Sequence, residues 1–154
     1  FWYPKLRLEE AGMVVEVAGE KATTTYRGKH GVPAMAELDF GSVDASSYEA
    51  VFVPGGWAPD RLRRFEEVTA ILQQMNREGK IIGEICHAGW VLISAGILEG
   101  KTVTSTPGIK DDMANAGATW VNEPVVVDGN IISARRPPDL PAYLKAVLAE
   151  LEKR

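Results

Sequence analysis

The chain has 154 residues, 45% of them hydrophobic and 25% charged, with a formal net charge of −4. This suits one globular domain that hides roughly two-thirds of its unfolded surface without a metal or disulfide staple, and a lone cysteine cannot form an internal disulfide. The scattered basic residues argue against a nucleic-acid partner. The lack of a signal pattern or a long apolar run argues against secretion and membrane insertion, and with the single cysteine points to a reducing, cytoplasmic setting.

The chain opens Phe1-Trp2-Tyr3-Pro4 rather than with Met, so a further segment is expected upstream. Pro4 to Ala11 are strong helix formers closed by Gly12, which predicts a helix already under way at the first residues. Met13–Val17 reads as a buried strand, Ala22–Tyr26 as a more exposed one, and Val32–Leu38 as a strand weakened by Pro33. Ala50-Val51-Phe52-Val53 is an unbroken apolar run of the kind that a parallel strand covered on both faces requires, and Pro54-Gly55-Gly56 ends it sharply. In 66–78, Val68, Ile71, Leu72 and Met75 recur at helical spacing, and Gly79 follows as a cap. Lys80–Ile85 is a strand running straight into Cys86-His87-Ala88-Gly89; 90–98 is a buried helix ended by Gly100. A short strand at Val103, a helix over 108–116, strands at Trp120, Val125–Val127 and Ile131–Ala134, and a closing helix over 139–153 complete the chain. Strands alternating with helices predict an α/β sandwich, a mainly parallel sheet with helices on both faces.

Ligands of open parallel sheets sit beyond the carboxyl ends of the strands, where Cys86 is expected. A strand–turn–helix elbow there pushes the side chain outward, and the N-terminal amides and dipole of the following helix favour a thiolate nucleophile. A lone cysteine is ordinarily a small buried hydrophobe; its neighbours argue otherwise. Gly55 and Gly56 end a neighbouring strand at the same edge and leave bare amides for an oxyanion, with the His87 amide as a second donor, although a plain tight turn would use the same two glycines. His87 is a candidate base, but successive helical positions do not face each other, so its contact with Cys86 requires elbow geometry. Strand alternation puts Glu84 on the side of Cys86, as a possible pocket residue; a solvated or hydrogen-bonded carboxylate at the strand end is the plainer alternative.

Gly28-Lys29-His30-Gly31, Val53-Pro54-Gly55-Gly56 with Ala58-Pro59, Ile85-Cys86-His87, Leu92-Ile93-Ser94-Ala95-Gly96, Thr104 to Met113 and Val125 to Asn130 occur in an order that resembles the ThiJ/PfpI family. This group is typified by intracellular cysteine proteases and is related to class I glutamine amidotransferases. The resemblance spans the chain and implies a flavodoxin-like fold with Cys86 as nucleophile, His87 beside it and the amides of Gly56 and His87 as oxyanion site. Two histidines and one cysteine far apart in the sequence argue against a metal site, and no cofactor is expected. It implies a carboxylate from a neighbouring subunit, for which Asp60 in Ala58-Pro59-Asp60 holds the matching place, and hence a homodimer or a higher multiple. Asp60 alone would read as an ordinary helix-start residue. The family begins with a strand and a glutamate-bearing loop, both of which would precede Phe1. Glu84 and Ala88-Gly89-Trp90 depart from the family's small residue before Ile and Gly-Pro after His.

The function these residues imply is addition of Cys86 to small reactive carbonyls or glycated adducts, as in the family's glyoxalases and deglycases. Peptidase or amidase action would use the same apparatus, and a redox sensor or chaperone would use oxidation of Cys86 alone.

Overall fold

The computed structural model describes residues 1–154. Its centre is a four-stranded sheet in the order β5 (Ala50–Val53), β6 (Ile81–Ile85), β10 (Ile131–Ala134) and β9 (Val125–Asp128). The first three run parallel, and β9 returns antiparallel to β10 through a tight hairpin. Three two-stranded ladders flank this sheet: β1 (Ala18–Gly19) parallel to β4 (Leu38–Asp39), β2 (Thr25–Arg27) antiparallel to β3 (Pro33–Met35), and β7 (Thr102–Val103) parallel to β8 (Thr119–Trp120). Helices cover both faces, which makes the chain an α/β sandwich of flavodoxin-like form.

Sequence pattern explains the layering. All five residues of β6 are buried, and they divide by alternation: Ile82 joins the core under α3 (Glu66–Arg77), α4 (Gly89–Ala95) and α5 (Lys110–Asn115). Ile81 and Ile85 join the opposite core under α1 (Trp2–Glu10) and α6 (Leu140–Leu151), with Leu8, Tyr143, Leu144 and Val147. Helix α3 shows why periodicity prevails over propensity. Its inward residues Val68, Leu72 and Met75 are buried, each worth about 1.5–3 kcal/mol, against a few tenths for the helix preference of most single residues.

Several boundaries differ from the sequence expectation. Met13–Val17 alternates between half-buried and exposed positions but joins no ladder; pairing begins only at Ala18. The segment around Pro33 splits into two short strands. Helix α4 stops at Ala95 because Gly96 takes the left-handed conformation at φ 67, so the earlier glycine ends it rather than Gly100. No helix is long and apolar enough to cross a membrane.

Gly83 in the middle of β6 lies against Tyr143 and Phe52: a Cβ there would sit 2.7 Å from Phe52 Cε1 and closer still to the Tyr143 hydroxyl. Gly83→Ala should therefore lower unfolding stability by about 2 kcal/mol, through overpacking of a core that cannot move aside. Urea denaturation with an unchanged midpoint would show that the tyrosine swings away freely.

Candidate active site

Strand β6 ends at Ile85, and Cys86 begins a turn of 3-10 helix over Cys86–Ala88 that feeds α4. Cys86 takes φ 66, one of two non-glycine residues with positive φ; the other is Thr23. For a side chain with a Cβ this conformation costs about 1–2 kcal/mol and persists only where the surroundings enforce it. Its carbonyl accepts a hydrogen bond from the Thr106 amide at 3.2 Å, which ties the turn to the segment after β7.

The unusual dihedral has two consequences. It brings neighbours in sequence into contact, so that His87 Nδ1 lies 3.4 Å from Cys86 Sγ. It also ends the alternation of β6: Cys86 packs against the core that contains Ile85 and Tyr143. Glu84 shares the face of Ile82, on the other side of the sheet. The expectation that Glu84 flanks Cys86 is thus overturned, because alternation holds only while the backbone stays extended.

Glu84 is also neither solvated nor hydrogen-bonded. It is fully buried, with no partner for either carboxylate oxygen, and the Thr104 hydroxyl is likewise unpartnered. Burial pushes its carboxyl well above the ordinary carboxylate range, opposed only in part by the nearby Gly89 amide.

Gly55, two residues past the end of β5, packs against the nucleophile. A Cβ at that position would lie 2.8 Å from Cys86 Cβ and 2.9 Å from the Ile85 carbonyl oxygen, so only glycine fits. Gly56 follows at φ 75 with open space where a side chain would be. The Gly56 amide donates to no backbone carbonyl, and the His87 amide, second in the 3-10 turn, comes before the first amide that finds a partner within it. Two free donors beside a sulfur suit a developing oxyanion.

Asp60 lies in α2 (Ala58–Leu62), and its carboxylate pairs with Arg64 of its own helical turn at 2.5 Å. Within the chain it makes no hydrogen bond to His87, whose sole side-chain partner is Cys86. No group of three or more His, Cys, Asp and Glu side chains forms a metal-binding cluster.

The sequence reading missed the aromatic setting of His87. Trp57 stacks on the imidazole with centroids 5.4 Å apart and planes at 27°, and Trp90 lies against it at 5.0 Å and 50°. Trp90 also borders an open groove of about 390 Å³ shared with Arg63, Ile93, Asp112, Asn115 and Ala116. The local signal was weak: a tryptophan after Gly-Gly, and one three residues after His87 that reads equally well as core.

A family description, "DJ-1/PfpI family", matches residues 1–150. The deglycase PH1704 of Pyrococcus horikoshii is 47% identical over 144 residues, covering 93% of this chain and 86% of that protein. The deglycase PfpI of Pyrococcus furiosus is 45% identical, with the same coverage of 93% and 86%. Among solved structures, a two-domain Anabaena variabilis protein with DJ-1/ThiJ/PfpI-like and ferritin-like domains superposes with TM-score 0.95 at 38% identity, over 97% of this chain and 43% of that one. Drosophila melanogaster DJ-1beta superposes with TM-score 0.90 at 28% identity, over 98% and 82% of the two chains.

Proposed function

This chain belongs to the DJ-1/PfpI family, and from that premise we propose that it is a cysteine-dependent enzyme acting on small reactive carbonyls or their glycated adducts, as a deglycase does. The observation that carries this is the Cys86 elbow: a sulfur at φ 66, 3.4 Å from an imidazole nitrogen, beside two free backbone amides. Further support comes from relatives named deglycase at 45–47% identity.

The chemistry follows from the geometry. Sγ adds to the carbonyl carbon, the C=O π pair moves to oxygen, and the amides of Gly56 and His87 hold the resulting oxyanion. The thiol proton passes through His87 to that oxygen, giving a hemithioacetal. With methylglyoxal, His87 then carries the proton from C1 to C2, leaving a thioester that water hydrolyses to lactate and free thiol. The sum is methylglyoxal plus water to lactate, with no redox partner. Asp60 of the partner subunit is the carboxylate that would orient His87 in a homo-oligomer, released from Arg64 on assembly.

Incubation of the purified protein with methylglyoxal and with a glycated thiol, each without glutathione, should yield lactate and the freed thiol. Cleavage of a peptide panel with no consumption of aldehyde would replace the proposal with peptidase action. Oxidation of Cys86 by dilute peroxide with neither turnover would replace it with a redox sensor.

A further inference from the structure

We infer that Trp90, anchored by Asp112 and Arg63, is a positioning residue that together with Trp57 holds the plane of the His87 imidazole against the Cys86 sulfur. The inference rests on the Cys86–His87 chemistry proposed above and adds the group that makes that pair work within a single chain.

A base that takes a proton from its own sequence neighbour needs its ring held, because small errors of placement erode proton transfer steeply. In most such sites a carboxylate does this by binding the far ring nitrogen. Here His87 has no side-chain hydrogen bond other than to Cys86 Sγ, and Asp60 is engaged by Arg64. What touches the ring is aromatic. Trp57 comes from the loop after β5 and lies near-parallel to the imidazole, while Trp90 comes from the first turn of α4 and packs at an inclined angle. The two indoles also meet each other, with centroids 6.4 Å apart. The imidazole therefore rests in an aromatic corner that holds the plane of its ring, since tilting the ring away loses both contacts, while the 3.4 Å contact of Nδ1 with the sulfur sets which edge faces Cys86.

The corner is itself secured. Trp90 Nε1 donates to Asp112 Oδ2 at 2.8 Å, which fixes the indole from α5. The Arg63 guanidinium lies over the same indole, 5.9 Å from its centroid, and Arg63 Nε donates to Ser94 Oγ at 2.9 Å. Arg63 forms no ion pair, so its guanidinium is committed to the ring face and to Ser94. Helix α5 through Asp112 and the segment after α2 through Arg63 thus both act on the imidazole by way of Trp90. The far nitrogen of His87 is left free for solvent or for a carboxylate brought by another subunit.

Two measurements on the full chain test this: kcat and KM for methylglyoxal, and the rate of Cys86 alkylation by iodoacetamide at fixed pH. They are applied to the wild type, Trp90→Leu, Trp90→Phe, Asp112→Ala and, as the reference for a lost base, His87→Asn. Trp90→Leu should lower kcat about 10²-fold with KM changed by less than about threefold, and should slow alkylation toward the His87→Asn rate. Trp90→Phe, which keeps an aromatic face, should restore both to within about threefold of wild type. Simple loosening of the structure has the opposite sign, since an exposed thiol alkylates faster. Asp112 is exposed on α5, so Asp112→Ala keeps the fold even if Trp90→Leu does not, and it should slow alkylation several-fold. Wild-type alkylation in both Trp90→Leu and Asp112→Ala overturns the inference. A raised KM at constant kcat also overturns it, by making Trp90 a substrate contact. If the wild type consumes no aldehyde, the proposed function fails, while the alkylation rates still decide whether Trp90 positions His87.

Discussion

Replacing Cys86 by alanine or by glycine should lower aldehyde turnover by about 10⁴-fold in both cases, and the glycine variant should unfold about 1 kcal/mol later than the alanine variant. The shared loss of activity reports the sulfur: without it no covalent adduct forms, and the free amides and His87 retain only the residual catalysis of a site that binds but cannot add. The difference in stability reports the backbone. At φ 66 a Cβ crowds the following carbonyl, and glycine escapes that cost whereas alanine keeps it. Comparing two variants that both lack sulfur removes the packing of the cysteine against the Ile85–Tyr143 core from the difference. Thermal unfolding with the two variants superimposed would mean that the left-handed turn carries no strain. Undiminished turnover in either variant would remove Cys86 from the chemistry.

A strained residue is informative because proteins rarely retain strain where an unstrained residue would serve. Gly55 carries the same message from the neighbouring strand. Space for any other residue is absent there because Cys86 Cβ and the Ile85 carbonyl occupy it, so the turn after β5 carries a glycine for the sake of the nucleophile that follows β6. The two elements are set by one another, and the free amide of Gly56 is a by-product of that fit.

Much of this was legible in the residues. The apolar runs of β5 and β6, the heptad-like spacing in α3 and the punctuation by Gly79 and Gly129-Asn130 predict the central sheet and its cover, because burial on both faces leaves a local mark in the sequence. The position of Cys86 and the glycines opposite were legible for the same reason: a strand end is a local event. What was not legible depends on directions rather than positions. The side of the sheet on which Glu84 falls relative to Cys86 turns on a single dihedral, which no periodicity encodes. The corner of Trp57, Trp90 and Asp112 around His87 draws on three segments distant in sequence, each unremarkable by itself.

Glu84 offers the sharpest test of the structure outside the site, as an expected gain in stability. Glu84→Met should stabilise the fold by about 3 kcal/mol at pH 8, because it exchanges a fully buried, unpartnered carboxyl for an apolar chain of similar length. Glu84→Gln separates the charge from the burial. The folded-state affinity of Glu84 for its proton is raised well above that of the unfolded chain, with burial as the largest cause. Below the unfolded carboxylate range both states hold the proton and the residue adds no pH dependence. As pH rises beyond it, the unfolded chain releases the proton while the folded chain keeps it, so stability falls until the folded group itself ionises. Glu84→Gln should therefore match wild type in its pH slope near pH 3, below the unfolded carboxylate range, and gain on it from about pH 4 to pH 8, in urea titrations at each pH. A difference that stays flat across that window would mean that the carboxyl titrates alike in both states, which a side chain fully enclosed beneath α4 cannot do.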